Sequence, residues 1–171
     1  MIFLTIIISF LAADLISYIF HRFVHNPVSG LMFRAHLEHH SHYTKKRYLS
    51  DTYISSGKDS LLYYAVPLFV VVSTITLLLV PSPYSFISVA TMAVTTSATG
   101  WIHDSSHLTG SRLNGFKWFR TLQRQHLKHH QDTRVVYGVL WFGWDRLFGT
   151  YVKTVNSDSI EEPDASPEQA S

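Results

Sequence analysis

The chain has no cysteine. That excludes disulfides, thiolate-held metals and cysteine-ligated iron–sulfur clusters, and it leaves the redox compartment open. Charge is scarce as well. Charged residues make up 15% of the 171 residues against 46% hydrophobic, where a soluble domain carries about 25% charged. The shortage is local: Leu61–Val80 and Tyr84–Trp101 contain no charged residue, and Met1–Phe20 contains only Asp14. A net formal charge of +2 makes no electrostatic case for nucleic acid. No repeat recurs at a solenoid period, although each half of the chain carries an HxxxH followed by an HxxHH.

Each of the three apolar stretches has about the 17–25 residues that a helix needs to cross a bilayer. Pro81-Ser82-Pro83 separates the second from the third and predicts a tight turn between antiparallel spans. The first stretch has no basic residues before it and no small-residue cleavage site, and it runs straight into histidines. This argues against a cleaved secretory signal. All fourteen Lys and Arg lie within 22–58 or 112–153, and none precedes the first stretch or falls in the proline turn. Three spans put both basic segments on one side, which the positive-inside rule makes cytoplasmic. The expected fold is therefore an all-α integral membrane protein. It has about three transmembrane helices (1–20, 61–80 and 84–101) and a cytoplasmic helical cap that carries a histidine-rich dimetal site. Residues 1–153 form one membrane-embedded domain, and 154–171 read as a disordered acidic tail. A bacterial inner membrane and an endoplasmic reticulum fit equally well.

What the chain has in excess is histidine. Ten of its eleven histidines fall into four clusters: His21 and His25; His36, His39 and His40; His103 and His107; His126, His129 and His130. All four lie on the basic side. On a helix, positions four apart share a face, and so do i, i+3 and i+4, so each cluster can turn its imidazoles one way. Ten imidazoles exceed what one ion accepts, and two metals with about five positions each is the natural count. His42 reads as a surface residue. Imidazole suits zinc, copper, iron and nickel. Structural zinc usually takes four ligands and favours cysteine, so two irons that activate dioxygen fit the count and the apolar setting better. Ligand histidines need acceptors for their second ring nitrogen. Asp14 and Tyr18, on the His21–His25 face, are expected in that role, Asp14 because a carboxylate inside a span is costly. Asp104 and Asp132 are weaker candidates, and Glu38 points away from its neighbouring histidines. The aromatics of 116–119 and 141–148 read as interfacial anchors, and Lys45-Lys46-Arg47 as a lipid-headgroup contact.

Several segments together resemble the fatty acid hydroxylase superfamily, also called the sterol desaturase family. They are Asp14 to His25, His36-Leu-Glu-His39-His40, Trp101-Ile-His103-Asp-Ser-Ser-His107 and His126-Leu-Lys-His129-His130. The closing segments Tyr137-Gly138-Val139 and Trp144-Asp145-Arg-Leu-Phe148-Gly149-Thr150 complete the likeness, which covers most of 14–150. The resemblance implies a helical membrane enzyme with two iron ions (zinc being possible in a purified sample), dioxygen as co-substrate and the ten clustered histidines as ligands. No fused cytochrome domain is present, so the electron donor implied is a separate protein of ferredoxin or cytochrome b5 type. Bacterial β-carotene hydroxylases are similar too, but their HxxxxH boxes hold one more residue than His21–His25 and His103–His107. The expected activity is hydroxylation of a fatty acyl, sterol or similar lipid C–H bond. A carotenoid ring hydroxylase or a lipid desaturase would use the same chemistry. A membrane metal-binding or metal-transport protein is the alternative of another class. Transport predicts ionisable residues along the spans, where only Asp14 lies.

Overall fold

A computed structural model describes residues 1–44, 47–54 and 61–153, without side-chain detail for 61–64. The expected acidic tail, and Lys45 and Lys46 of the basic run, lie outside the described residues.

Six α-helices and two 3₁₀ turns account for the secondary structure, and the described residues contain no strand, only an isolated parallel bridge between Ser50 and Leu108. Helix α1, Ile2–Val24, is apolar round most of its surface, Asp14, His21 and Arg22 apart, and carries no helix breaker. It stops where Pro27 follows. Asn26 accepts the Val28 N–H, a 3₁₀ turn spans Pro27–Ser29, and Gly30 at φ 62° redirects the chain into α2, Leu31–His42. Helix α3 spans Leu61–Leu79, with Pro67 inside it. Pro81 and Pro83 then interrupt the backbone ladder before α4, Tyr84–Ser105. Helices α5, Lys117–Gln131, and α6, Gly143–Leu147, complete the set.

Helices α1 and α4 continue past the expected ends of their apolar stretches, so that His21 and His103 stand on their last turns. Both send their C-terminal ends to the histidines and therefore run parallel, while α3 runs back against α4. Small residues let α1 and α4 approach closely: Ser9 and Ala13 face Ser85, Ser88 and Thr95, and the Ser9 and Ser88 hydroxyls hydrogen-bond at 2.9 Å. Helix α4 hides much of its polarity in itself. Thr91, Thr95 and Thr99 each donate to the carbonyl four residues earlier. Among the described residues, α1 is the one helix both long and apolar enough to cross a membrane, and the part of α3 described with its side chains, Ala65–Leu79, is apolar but shorter. The expectation of three spans thus meets one such helix. Helix α4 has the length, at 22 residues, but its serines and threonines lower its hydropathy.

Below the histidines of α5, Phe119 packs on Ile102, Leu113 and Val139 in a small core. The aromatics expected to anchor at an interface divide. Phe119 and Phe142 are buried, while Phe116, Trp118, Trp141 and Phe148 are about half exposed.

Candidate metal centre

The ends of α1 and α4, the length of α2 and the second half of α5 meet at one place, and all ten clustered histidines are there. Nine fall into two groups whose ligand nitrogens lie within 4.8 Å of one another: His21, His25, His36, His40 and His129, and His39, His103, His107 and His126. The tenth, His130, stands between them. Its ring stacks on His40 at 4.0 Å and lies 4.5 Å from His107 and 4.8 Å from His126. His42 belongs to neither group.

The HxxxH pairs stay together as expected, but each HxxHH divides. His36 and His40 join one group and His39 the other; His126 and His129 part in the same way. The reason is angular. At 100° per residue, positions i and i+4 differ by about 40°, whereas i+3 lies about 60° on the other side of i. Helices α2 and α5 lie between the two groups, so successive histidines turn to opposite sides.

Ring tautomers explain why these nitrogens point inward. A backbone carbonyl can only accept, so an imidazole nitrogen bonded to one carries the proton and leaves the other nitrogen as a lone pair. His21 Nδ1 donates to Tyr137 O at 2.7 Å, His129 Nδ1 to Val135 O at 2.8 Å, and His107 Nδ1 to Tyr48 O and His130 Nδ1 to Tyr43 O, both at 3.2 Å. In all four, Nε2 is left as a lone pair directed into the cluster. His25 Nε2 sits 2.8 Å from His129 Nε2 and 2.9 Å from His36 Nε2, which in turn lies 3.2 Å from His40 Nε2. One proton per ring cannot satisfy so many converging nitrogens. The Nε2 atoms of His21 and His130 are buried without a hydrogen-bond partner. Orphaned, converging lone pairs are what a metal ion requires of its donors, and these residues fit divalent ions.

Electrostatics agree. Burial, then repulsion from neighbouring histidines, holds His36, His126 and His129 well below the ordinary imidazole range, and His107 likewise. His25 is pushed down to about 4 by burial and then by His39. His40 and His130 are lowered for the same reasons. A neutral imidazole is the form that binds a metal.

Of the acceptors expected from the sequence, Asp104 meets a histidine, with Oδ1 3.1 Å from His103 Nδ1. Asp14 and Tyr18 do not. Tyr18 is bonded to Thr150 Oγ1 at 3.1 Å, and Asp14 Oδ2 is buried without a partner. Asp132 is occupied by Arg134. Carbonyls from 43, 48, 135 and 137 take the place of the carboxylates, and they have no residue-type signature to be read in advance. Asp145 was also missed. Fully buried, it accepts the N–H groups of Tyr137 and Gly138 at 2.8 and 2.9 Å and the Thr150 hydroxyl at 2.8 Å. It thereby fixes the segment whose carbonyl meets His21. The signal was its place in Trp144–Thr150. Tyr43, stacked on His107 at 3.8 Å, likewise had no signal of its own.

Beside the histidines opens a cavity of about 530 Å³ between α1, α3 and α4. Its walls are mainly apolar, with Ile16, Phe20, Leu68 and Phe69 among them, and its end is formed by His21, His36, His39 and His103.

The pattern that defines the family described as Fatty acid hydroxylase matches residues 6–150. The chain belongs to the fatty acid hydroxylase family. No curated protein and no solved structure matches it. Membership in this family makes the chain an oxidoreductase of the hydroxylase and desaturase type, and among the described residues the two histidine groups could hold metal.

Proposed function

We propose that this fatty acid hydroxylase family member is a membrane-bound monooxygenase that hydroxylates a C–H bond of a lipid. The observation that carries the reading is that both histidine groups border one apolar cavity: His21 and His36 from the first, His39 and His103 from the second. A chain lying in that cavity presents its C–H bonds to both groups at once.

Two redox-active ions, iron by the family's habit, would supply the dioxygen chemistry that an unactivated C–H bond requires. His21, His25, His36, His40 and His129 would hold one, and His39, His103, His107 and His126 the other, with His130 beside both. The chain's own residues do the rest. The carbonyls of Tyr43, Tyr48, Val135 and Tyr137 and the Asp104 carboxylate fix ring tautomers. The apolar walls admit the lipid and exclude water. One oxygen atom enters the C–H bond and the other leaves as water, so two electrons and two protons come from outside. Their source is a separate donor of ferredoxin or cytochrome b5 type. The protein spans the bilayer with α1, α3 and α4, and the histidines stand on the cytoplasmic face, the side of all fourteen basic residues.

The test is turnover of membrane lipid by the iron-loaded protein with a reductase system under ¹⁸O₂. The product is expected to carry the label, and His39→Ala and His129→Ala are expected to abolish it. Full activity in either variant contradicts the reading. Metal uptake with no oxygen consumption favours a metal-binding protein instead. Loss of hydrogen without label in the product favours a desaturase.

A further inference from the structure

The cavity beside the histidines ends, on the side away from them, at two residues. Its deepest lining residue on α1 is Ala13, and on α4 it is Met92, itself buried. One turn below each stand Ser9 and Ser88, whose hydroxyls are bonded at 2.9 Å. Neither serine lines the cavity, so the two helices are shut from that level down. Above it they part, and α3 fills only one side with Leu68, Phe69 and Val72. Helix α4 is the common neighbour: α1 and α3 each pack on it and have little contact with one another.

We infer that Ala13 and Met92 form a floor that limits how far an apolar chain reaches below the histidines, and so select its length. This inference rests on the lipid-oxidising reading above. Helix geometry gives the depth. Eight residues separate Ala13 from His21 and eleven separate Met92 from His103, which at about 1.5 Å per residue are roughly 12 and 16 Å. A staggered hydrocarbon chain with bonds of ~1.5 Å advances about 1.25 Å per carbon. The cavity therefore accepts about ten to thirteen carbons between the oxidised position and the buried end of the chain. The walls carry no charge at that depth, which suits a saturated tail inserted end first. A rigid ring system at the oxidised end of a long polyene would need the space below the floor, where Ser9 and Ser88 join the helices.

The floor can be moved in either direction. Ala13→Phe fills roughly one helical turn, ~5.4 Å or about four carbons, and is expected to shorten the preferred chain by three to four carbons. Met92→Ala removes the α4 half of the floor and is expected to lengthen it by two to four. Val94→Phe changes the outward face of the same helix, 70% exposed, and is expected to leave the preference where it is. The probe is a series of saturated fatty acids lengthened two carbons at a time. Affinity is read by calorimetric titration of the purified, metal-loaded protein in nanodiscs without reductant, and turnover is read separately with it. Opposite shifts of the binding optimum in the first two variants support the floor even if no lipid is turned over, an outcome that contradicts the hydroxylase reading alone. An unchanged optimum in variants that retain wild-type metal content overturns the floor and leaves that reading standing. If Ala13→Phe fails to fold, Met92→Ala carries the test: its optimum must lengthen, and an unshifted optimum overturns the inference.

Discussion

The Asp145 carboxylate accepts three hydrogen bonds, from Tyr137 N, Gly138 N and Thr150 Oγ1. Because a carboxylate only accepts, the Thr150 hydroxyl donates to it and the Tyr18 hydroxyl donates to Thr150 in turn. Helix α1 is thus tied to the segment that carries Val135 O and Tyr137 O, the acceptors of His129 and His21. That segment is held under strain: buried Val136 has φ 53°, an outlying conformation for a β-branched residue. Asp145→Ala strands two buried N–H groups, each costing about 1–3 kcal/mol. Thermal unfolding is expected to show that loss, and elemental analysis a lower metal content, with Asp145→Asn in between. Gly138→Ala acts on the same contact. A Cβ there would stand 2.5 Å from Asp145 Oδ2 and 2.7 Å from Trp141 O. Neither atom can retreat without breaking the loop, so Gly138→Ala is expected to lower both stability and metal content. An unchanged melting curve would contradict this account of the loop. At this scale the sequence made the clustered histidines legible, because imidazole is a chemical signature in itself. It did not reveal what orients them, because carbonyl oxygens belong to every residue, and Asp14 and Tyr18 attracted notice by type rather than by reach.

Helix periodicity places the members of each HxxxH pair side by side, and each pair does lie within one group. It also suggested that each HxxHH would converge, and they do not, because α2 and α5 run between two groups and the pattern alone does not say where a helix axis lies. The result is a packed array of imidazoles that the fold keeps neutral, with a consequence for pH. In the unfolded chain a histidine titrates near 6.5, whereas in the folded protein His25 titrates near 4 and buried His129, His126 and His107 lie well below the ordinary value. Between those limits the unfolded chain binds more protons. Stability of the metal-free protein is therefore complete above about pH 6.5 and falls as pH drops towards 4. The expected slope is about 1.4 kcal/mol per pH unit for each histidine that stays neutral when folded. Denaturant titrations across pH 4.5–7.5 measure it, and a flat profile contradicts the account. Bound metal competes with protons for the same nitrogens, so the loaded protein should resist acid to a lower pH.

For the whole molecule, low charge and apolar length gave a helical fold, and the histidine order gave a single centre. The number of spans was harder to read. Helix α4 satisfies its threonine hydroxyls internally, so a charge-free sequence need not be strongly hydropathic. The cavity could not be read at all, since it arises where α1 and α3 diverge on either side of α4. On the proposed reading, this centre is expected to hold two ions, one in each histidine group. Elemental analysis of the purified protein reconstituted with iron(II) tests it most directly, together with His36→Ala and His126→Ala, which each disturb one group. Two iron ions per chain are expected in the native protein and one in each variant. A single ion in the native protein, or two retained in both variants, would contradict it.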